Sequence, residues 1–543
     1  MHATFRYPVY PYQQSLEQQQ GRPSAHPVVI VGAGPIGLAA ALECARRGIA
    51  CVLLDDNNTV SNGSRAVCHA KRALEIYDRL GVASRIVEKG ISWKVGRVFF
   101  GKEQVYSFDL LPEPGHKMPA MINLQQYYLE QFLVEACQAQ ELIELRWKHK
   151  VVALSQDDRG VQLTVETPDG QFSMLAGWVL ACDGANSSLR RMVGAGFNGQ
   201  AFHDRFLIAD VVMKKADFPT ERWYWFDPPF HPGQSVLLHR QADDVWRIDF
   251  QLGAEADPER EKAPDRVIPR IRAMLGPDVP FELEWVSVYQ FACRRIDNMR
   301  HGRVLFAGDS AHQVSPFGAR GANSGVQDVD NLVWKLQMVL QGHAGQTLLD
   351  SYHHERAMAA DDNIGHSTRS TDFITPRNEA SRILRNAALQ LAKREAFARR
   401  LINSGRLSMP TPYTDSPLNT PDDAPFAGTL QPGCNCADAP VRVHGRPGWL
   451  LDALPSGFSV LVFGQADARE LELDGLRVPV LCVGRDLEDD QGLLVERYDG
   501  QPGTTYLIRP DHYIAGRWRR FDEGTVRAAL ARACARELEE RCA

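Results

Sequence analysis

The sequence predicts an α/β protein carrying an α+β insert, on three observations. A strand, a glycine turn, a helix and a second strand follow one another from Pro27 to Leu54. Short alternating segments rich in aromatics run from Phe206 to Leu252, and strand-then-helix order returns from Val304 to Leu340. Strand, helix and strand in succession form a parallel pair joined by a crossover. Period-two alternation broken by Asp227-Pro228-Pro229 and His231-Pro232-Gly233 reads instead as antiparallel strands and turns.

At 543 residues the chain exceeds one ordinary core, so several domains are expected. Residues 1–26 form a polar leader rich in Gln, Tyr and Pro. Residues 27–195 read as the first part of a nucleotide-binding domain. Its helix covers Ile36 to Arg47 and its second strand Ile49 to Leu54. Helical spacing follows over 65–80 and 123–139, then strand-like alternation from Val151 to Glu166 and an apolar strand at 178–182 ending on Asp183-Gly184. Residues 196–290 are the sheet insert. Residues 291–407 return to the nucleotide-binding domain and continue as a long helical stretch from Leu348 to about Ser404. Residues 408–447 hold many prolines and few periodic apolar positions, the composition of a linker. Residues 448–543 read as a smaller α/β domain. Its strands fall at Phe458–Phe463, Val478–Val483, Tyr506–Arg509 and Tyr513–Gly516, and an amphipathic helix covers Glu523 to Arg541.

Hydrophobic residues make up 44% of the chain and charged residues 24%, with a net charge of -6. That balance offers no attraction to nucleic acid or an anionic membrane and points to small-molecule partners. The 11 cysteines are an odd number scattered through apolar segments, which favours a reducing, cytoplasmic compartment. No apolar stretch reaches the ~20 residues of a membrane span, no secretory leader is evident, and no His/Cys cluster suggests a metal.

Gly32-Ala33-Gly34-Pro35-Ile36-Gly37 sits between the first strand and its helix. Gly32 allows the tight turn, Gly34 admits a pyrophosphate to the backbone, and Gly37 lets helix pack on strand; the helix N-terminus favours the anion. Asp55 closes the second strand 18 residues after Gly37, where a carboxylate can accept both ribose hydroxyls of an adenosine. The residues therefore predict dinucleotide binding, FAD and NAD being equally served by this motif.

Two further segments are more specific: GWVLACDGANSSLR at 177–190 and GRVLFAGDSAHQVSPFGARGANSGVQDVDNLVWKL at 302–336. With the fingerprint, they make the chain resemble the single-component (class A) FAD-dependent aromatic hydroxylases, the family of phenol hydroxylase and 3-(3-hydroxyphenyl)propionate hydroxylase. The resemblance implies a glutathione-reductase-type FAD-binding Rossmann fold, an antiparallel-sheet substrate domain and, from Tyr506–Asp511 leading to Trp518, a thioredoxin-like C-terminal domain lacking a CxxC pair. It implies FAD as cofactor, NADH or NADPH as a transient co-substrate, and O2. A phenolic substrate would be hydroxylated through a flavin C(4a)-hydroperoxide, in a protein that forms a homodimer.

Residue by residue, the resemblance assigns Asp309 to the ribityl chain, although a helix cap is an ordinary role for such an Asp. Arg65 and Gln126 match contacts to pyrophosphate or flavin and to ribityl, and Asp183 serves FAD and nicotinamide indirectly. Gly321, Ala322 and Asn323 fall at the pyrimidine edge and Pro316 near the reactive carbon. The family often has Gln-Gly-Met-Asn where this chain has Arg320-Gly321-Ala322-Asn323. Candidates for activating the phenol are His69, Arg247, Tyr224 and Asp249. A His titrates near neutrality, and Arg247 could hold a substrate carboxylate or pair with Asp249. Trp223 and Trp225 could wall a pocket or only pack a core. Same-fold halogenation or epoxidation, and a non-catalytic FAD-binding scaffold, are the competing readings.

Overall fold

In the computed structural model, which describes residues 4–214, 218–402, 407 and 409–536, the first strand is Ala25–Val31. It pairs in parallel with Cys51–Asp55 on one side, Val28 against Cys51, and with Gly170–Ala181 on the other, Ile30 against Leu180. Ile143–Trp147 and Val304–Phe306 continue the sheet outward, both parallel. These strands are runs of Val, Ile and Leu because both faces are covered. Helix Pro35–Arg46, which carries the fingerprint glycines into the core, packs beside Gln126–Gln138 and Gly321–Leu340.

A second sheet has seven strands in the order Glu282–Tyr289, Arg205–Val212, Val245–Gly253, Ser235–Arg240, Arg222–Phe226, Val95–Phe100, Glu103–Asp109. The expected antiparallel insert is there, but residues 95–109 from the first part of the chain complete it, joined in parallel to Arg222–Phe226. Alternation gives it two unlike faces. The outer face, with Trp225, Leu238, Trp246, Ile248 and Phe250, packs on Val267 and Ile271 of helix Pro264–Leu275. Trp223 and Trp225 belong to this outer core, so they wall no pocket on the inner face. That inner face carries Arg222, Tyr224, His239, Arg247, Asp249 and Asp210.

A third sheet, built from Pro440 to Trp518, centres on Ser459–Phe463, which pairs in parallel with Leu476–Val483 and antiparallel with Thr505–Ile508. Buried ions seat it on helices Gly321–Leu340 and Thr347–Ile374. Lys335 bonds Glu355 at 2.7 Å, Arg509 bonds Glu355 at 2.5 Å and Asp511 at 2.6 Å, and all four side chains are sealed from solvent. Trp334 Nε1 donates to the same Asp511 at 3.1 Å. Burial lowers the Lys335 ammonium to about 8 against the pull of Glu355.

Several sequence expectations are revised. Residues 65–80 are helical only over Lys71–Arg79; Cys68–Ala70 is a strand paired with Met121–Asn123, because tertiary pairing overrides local helical spacing. Val151 to Glu166 is a hairpin of two strands, Lys150–Gln156 and Val161–Thr167. The stretch from Leu348 breaks into helices Thr347–Ile374, Glu379–Ala392 and Ala396–Ile402. The leader is docked: Phe5 stacks on Tyr127 at 4.4 Å and Tyr10 on Trp147 at 4.5 Å. The proline-rich stretch is anchored too, with Tyr413 fully buried and stacked on Tyr513. The last helix is described over Glu523–Ala533; Ser404, Ser408 and residues 537–541 lie outside the described residues.

Candidate active site

Each fingerprint glycine meets its requirement. Gly32 has φ +104°, and a Cβ there would lie 2.4 Å from the Cys182 carbonyl oxygen. A Cβ on Gly37 would lie 1.8 Å from the Gly32 oxygen, so only glycine lets this helix sit on its strand. Gly34 faces open space. It caps helix Pro35–Arg46 without a side-chain acceptor, leaving the first-turn amides free for an anion. Asp55 is fixed at the end of its strand by the Ala33 and Asn57 amides, at 2.5 and 2.8 Å. Burial raises its carboxyl, against those two bonds.

The second wall is the turn after Val304–Phe306. Gly308 has φ +67°, and a Cβ there or on Gly325 would strike Ile36 of the fingerprint helix at 2.9 and 2.7 Å. The Gly308 amide donates to Asp328 at 2.9 Å, His312 bonds the same carboxylate at 2.7 Å, and Arg356 donates to it at 2.6 Å. Burial would raise the Asp328 carboxyl, but His312 and Arg356 hold it below the usual range. The turn is thus built from beneath, and Asp309 stands on it. Its carboxylate keeps accessible surface although protein encloses it, the situation of a group on a cleft floor, and accepts no hydrogen bond from the described residues. That enclosure raises its carboxyl, opposed by His312 and by Arg65. Arg65 is exposed and lies within electrostatic reach of Asp309.

Helix Gly321–Leu340 begins where Gly318 at φ +112° and Ala319 at φ +53° turn the chain, and no side chain caps it. Gly321 and Ala322 are half-buried at its start, with Pro316 exposed just before. Asn323 is committed elsewhere: it accepts from the Ala70 amide at 2.9 Å and donates to the Cys68 and Ala319 carbonyls. Gln126 likewise accepts from the Ala66 amide at 3.0 Å and donates to Ser61 and Glu130. Asp183 accepts from Ser187 Oγ at 2.6 Å and the Leu189 amide at 3.0 Å, capping its own turn. These three shape the cleft through backbone.

The inner face of the second sheet closes over this cleft. Arg247 pairs with Asp210, at 2.8 and 2.7 Å, and donates to the Ser64 and Arg65 carbonyls. The expected partner Asp249 is not used, and the Arg247 fork is filled. Phe317, next to Pro316, packs edge-on against Phe206 of the sheet at 5.0 Å. His239 approaches Cys68 at 3.7 Å. Alternation turns His69, the neighbour of Cys68, to the other side, edge-on to Tyr77 at 6.3 Å. Burial there lowers His69 to about 4, so it is neutral at physiological pH, and its ring is turned away from the side on which Cys68 meets the sheet. Tyr224 does lie on the face, its hydroxyl unpartnered and its pKa raised by burial. Asp249 is raised by burial to about 6. Arg222, His239 and Asp210 were missed from sequence; the signal was a polar residue at every second position of otherwise apolar strands.

Fold and site together define a protein with a glycine-lined nucleotide cleft roofed by the inner face of the second sheet. The chain belongs to the FAD binding domain family, whose pattern matches residues 25–367. It is 26% identical over 525 residues to a 3-(3-hydroxy-phenyl)propionate/3-hydroxycinnamic acid hydroxylase of Mycolicibacterium smegmatis, covering 91% of each chain. It is 32% identical over 336 residues to a probable NADH-specific resorcinol 4-hydroxylase of Rhodococcus jostii, covering 61% of this chain and 62% of that one. The crystal structure of the flavin-dependent monooxygenase PieE with FAD and substrate shares its fold, with TM-score 0.80 at 23% identity over 95% of this chain and all of that one. This protein is an FAD-dependent monooxygenase. No helix among the described residues is long and apolar enough to cross a membrane.

Proposed function

We propose that the chain hydroxylates a phenolic ring held between the inner sheet face and the FAD cleft, using NADH or NADPH and O2. The observation that carries this reading is the meeting of two incomplete surfaces: a cleft with uncapped helix N-termini and an unpartnered Asp309, and a sheet face with unpartnered buried polar atoms. The residues fit FAD. Gly32, Gly34 and Gly37 would admit its pyrophosphate, Asp55 its ribose, Asp309 its ribityl chain and Arg65 its phosphates. Gly321 and Ala322 would offer amides to the pyrimidine edge, with Gln126, Asp183 and Asn323 holding those segments in shape. When bound, FAD supplies the hydride acceptor and the activation of O2.

The chain's own work is to orient the ring, exclude water and favour the ionised phenol. Tyr224 reaches the ring from the sheet, Pro316 bounds it on the flavin side, and Arg247 acts indirectly by tying the sheet to the Ser64–Arg65 backbone. The proton-accepting role considered for His69 is not supported by its position. The fine architecture we propose is a glutathione-reductase-type Rossmann unit over 27–195 and 291–407, a substrate unit over 196–290 and a thioredoxin-like unit over 448–543. The parallel and antiparallel neighbours of Ser459–Phe463 support the last of these. A homodimer is supported by exposed Ile383, Leu384, Phe397 and Leu401, and a cytoplasmic location by the ten free cysteines among the described residues. The test is NADH and NADPH oxidation by FAD-loaded protein across a panel of phenols, with hydroxylated product measured by mass. Stimulated oxidation with matching product is expected; flat rates with bound FAD sink the reading.

A further inference from the structure

The inner sheet face contains one arginine too many. Arg247 has its carboxylate, Asp210, in a two-bond fork. Arg222, two strands away, is 9% exposed, and no ion pair or hydrogen bond to its side chain is found among the described residues; its Nη1 is buried without an acceptor. Its guanidinium carbon stands 5.9 Å from the centroid of the Trp93 ring. A guanidinium stays charged at every accessible pH, so burial without an anion is unfavourable unless something brings one.

The same corner holds three more unpartnered buried atoms: His239 Nε2, the Tyr224 hydroxyl and Asp249 Oδ1. They lie on adjacent strands in register, Tyr224 opposite Leu237 and Leu237 opposite Asp249, with His239 opposite Arg247. The four groups therefore converge on one place on one face. Burial, with Arg222 and Arg247 close by, keeps His239 well below its usual pKa, so it adds a neutral donor or acceptor and no charge. Asp249 interacts with Arg222 only at a distance and makes no ion pair with it. A satisfied protein site would not leave a cation, an imidazole, a phenol and a carboxyl oxygen all unanswered within one face.

We propose that Arg222 is the specificity residue of this site and that the substrate is a phenolic acid, whose carboxylate Arg222 takes in its planar fork while Tyr224 and His239 meet the remaining polar edge. The proposal rests on the hydroxylase reading above and names the class of phenol. A fork of five donors matches a carboxylate in two parallel bonds, which a single phenolate oxygen cannot provide.

The experiment uses full-length, FAD-loaded protein and 3-hydroxyphenyl acids with zero to three chain carbons, each paired with its methyl ester. Binding is read from the flavin absorbance change and turnover from hydroxylated product. In the wild type at least one acid should bind ~100-fold or more tightly than its ester. Arg222→Met should remove that preference while keeping FAD content, and Arg222→Lys should restore part of it. Equal binding of acid and ester by the wild type, no binding of any acid, or a preference surviving in Arg222→Met overturns the proposal. If Arg222→Met does not fold, the wild-type comparison and Arg222→Lys decide. Product from neutral phenols without acid preference overturns the Arg222 assignment and keeps the hydroxylase. An acid preference lost in Arg222→Met with no product from any phenol supports the anion site and overturns the hydroxylase.

Discussion

Two buried polar regions of this protein look alike in composition and differ in completeness. Where helices Gly321–Leu340 and Thr347–Ile374 meet the 509–511 turn, Lys335, Glu355, Arg509 and Asp511 are fully enclosed and every charge has a partner. On the inner sheet face, Arg222, His239 and Asp249 are buried and Tyr224 half-buried, less completely than the first group, and each keeps an unanswered buried atom. The first region is finished by the chain itself and works as a lock between the C-terminal sheet and the cofactor-side helices. The second is left for a ligand to finish. Burial of polar groups therefore does not mark a site; unsatisfied burial beside a cleft does.

The largest expected effect breaks the lock. Arg509→Met leaves Glu355 and Asp511 without their main cation and should cost about 3–5 kcal/mol, seen as an earlier unfolding transition in denaturant. Next comes the fingerprint. Gly37→Ala places a methyl 1.8 Å from the Gly32 oxygen, so the helix must shift from the strand; FAD per protein, read from the flavin-to-protein absorbance ratio, should fall at least ~10-fold.

Asp249 sharpens the comparison through pH. Its carboxyl is raised to about 6 by burial, above its unfolded value of 3.8, so ionising it disfavours the folded state. That penalty is absent below the unfolded value, grows as pH rises through the folded one, and reaches about 2–3 kcal/mol at pH 7.5. Asp249→Asn should therefore raise stability at pH 7.5 and leave it nearly unchanged at pH 3; equal effects at both would contradict the assignment. His69 works with the opposite sense. Its folded value, about 4, is depressed, so its contribution is intact above 6.5 and lost as pH falls through 4. His69→Gln should flatten that acid limb of the stability curve.

The smallest effect is the most discriminating. Arg222→Met should change unfolding stability by less than about 1 kcal/mol, or raise it, because no partner is left stranded when an unpaired cation is removed. A loss as large as that of Arg509→Met would erase the distinction between the two regions.

Much of the cofactor cleft was legible in the chain. Gly32, Gly34, Gly37, Asp55 and Asp309 are demanded by local geometry: a tight turn, a close helix and strand, a carboxylate at a strand end. Sheet-face chemistry was less legible. Arg247 was visible as a candidate, yet its partner Asp210 lies 37 residues away and the Ser64 carbonyl 183 residues away. His69 was visible as well, and the strand pairing with Met121–Asn123 turns it toward Tyr77 and away from the sheet face. The side chains of Gln126 and Asn323 are spent within the protein, Gln126 on the Ala66 amide, Ser61 and Glu130, and Asn323 on the Ala70 amide and the Cys68 and Ala319 carbonyls.

The sequence by itself determined the strand, turn and helix that admit a dinucleotide, since those features are set by backbone angles and contacts within a few residues. Only the tertiary structure decided which arginine was left unpaired. Arg222 and Arg247 are chemically identical and sit on strands of the same sheet. What separates them is that Asp210, on the neighbouring strand, lies opposite Arg247, leaving Arg222 a tryptophan face for company.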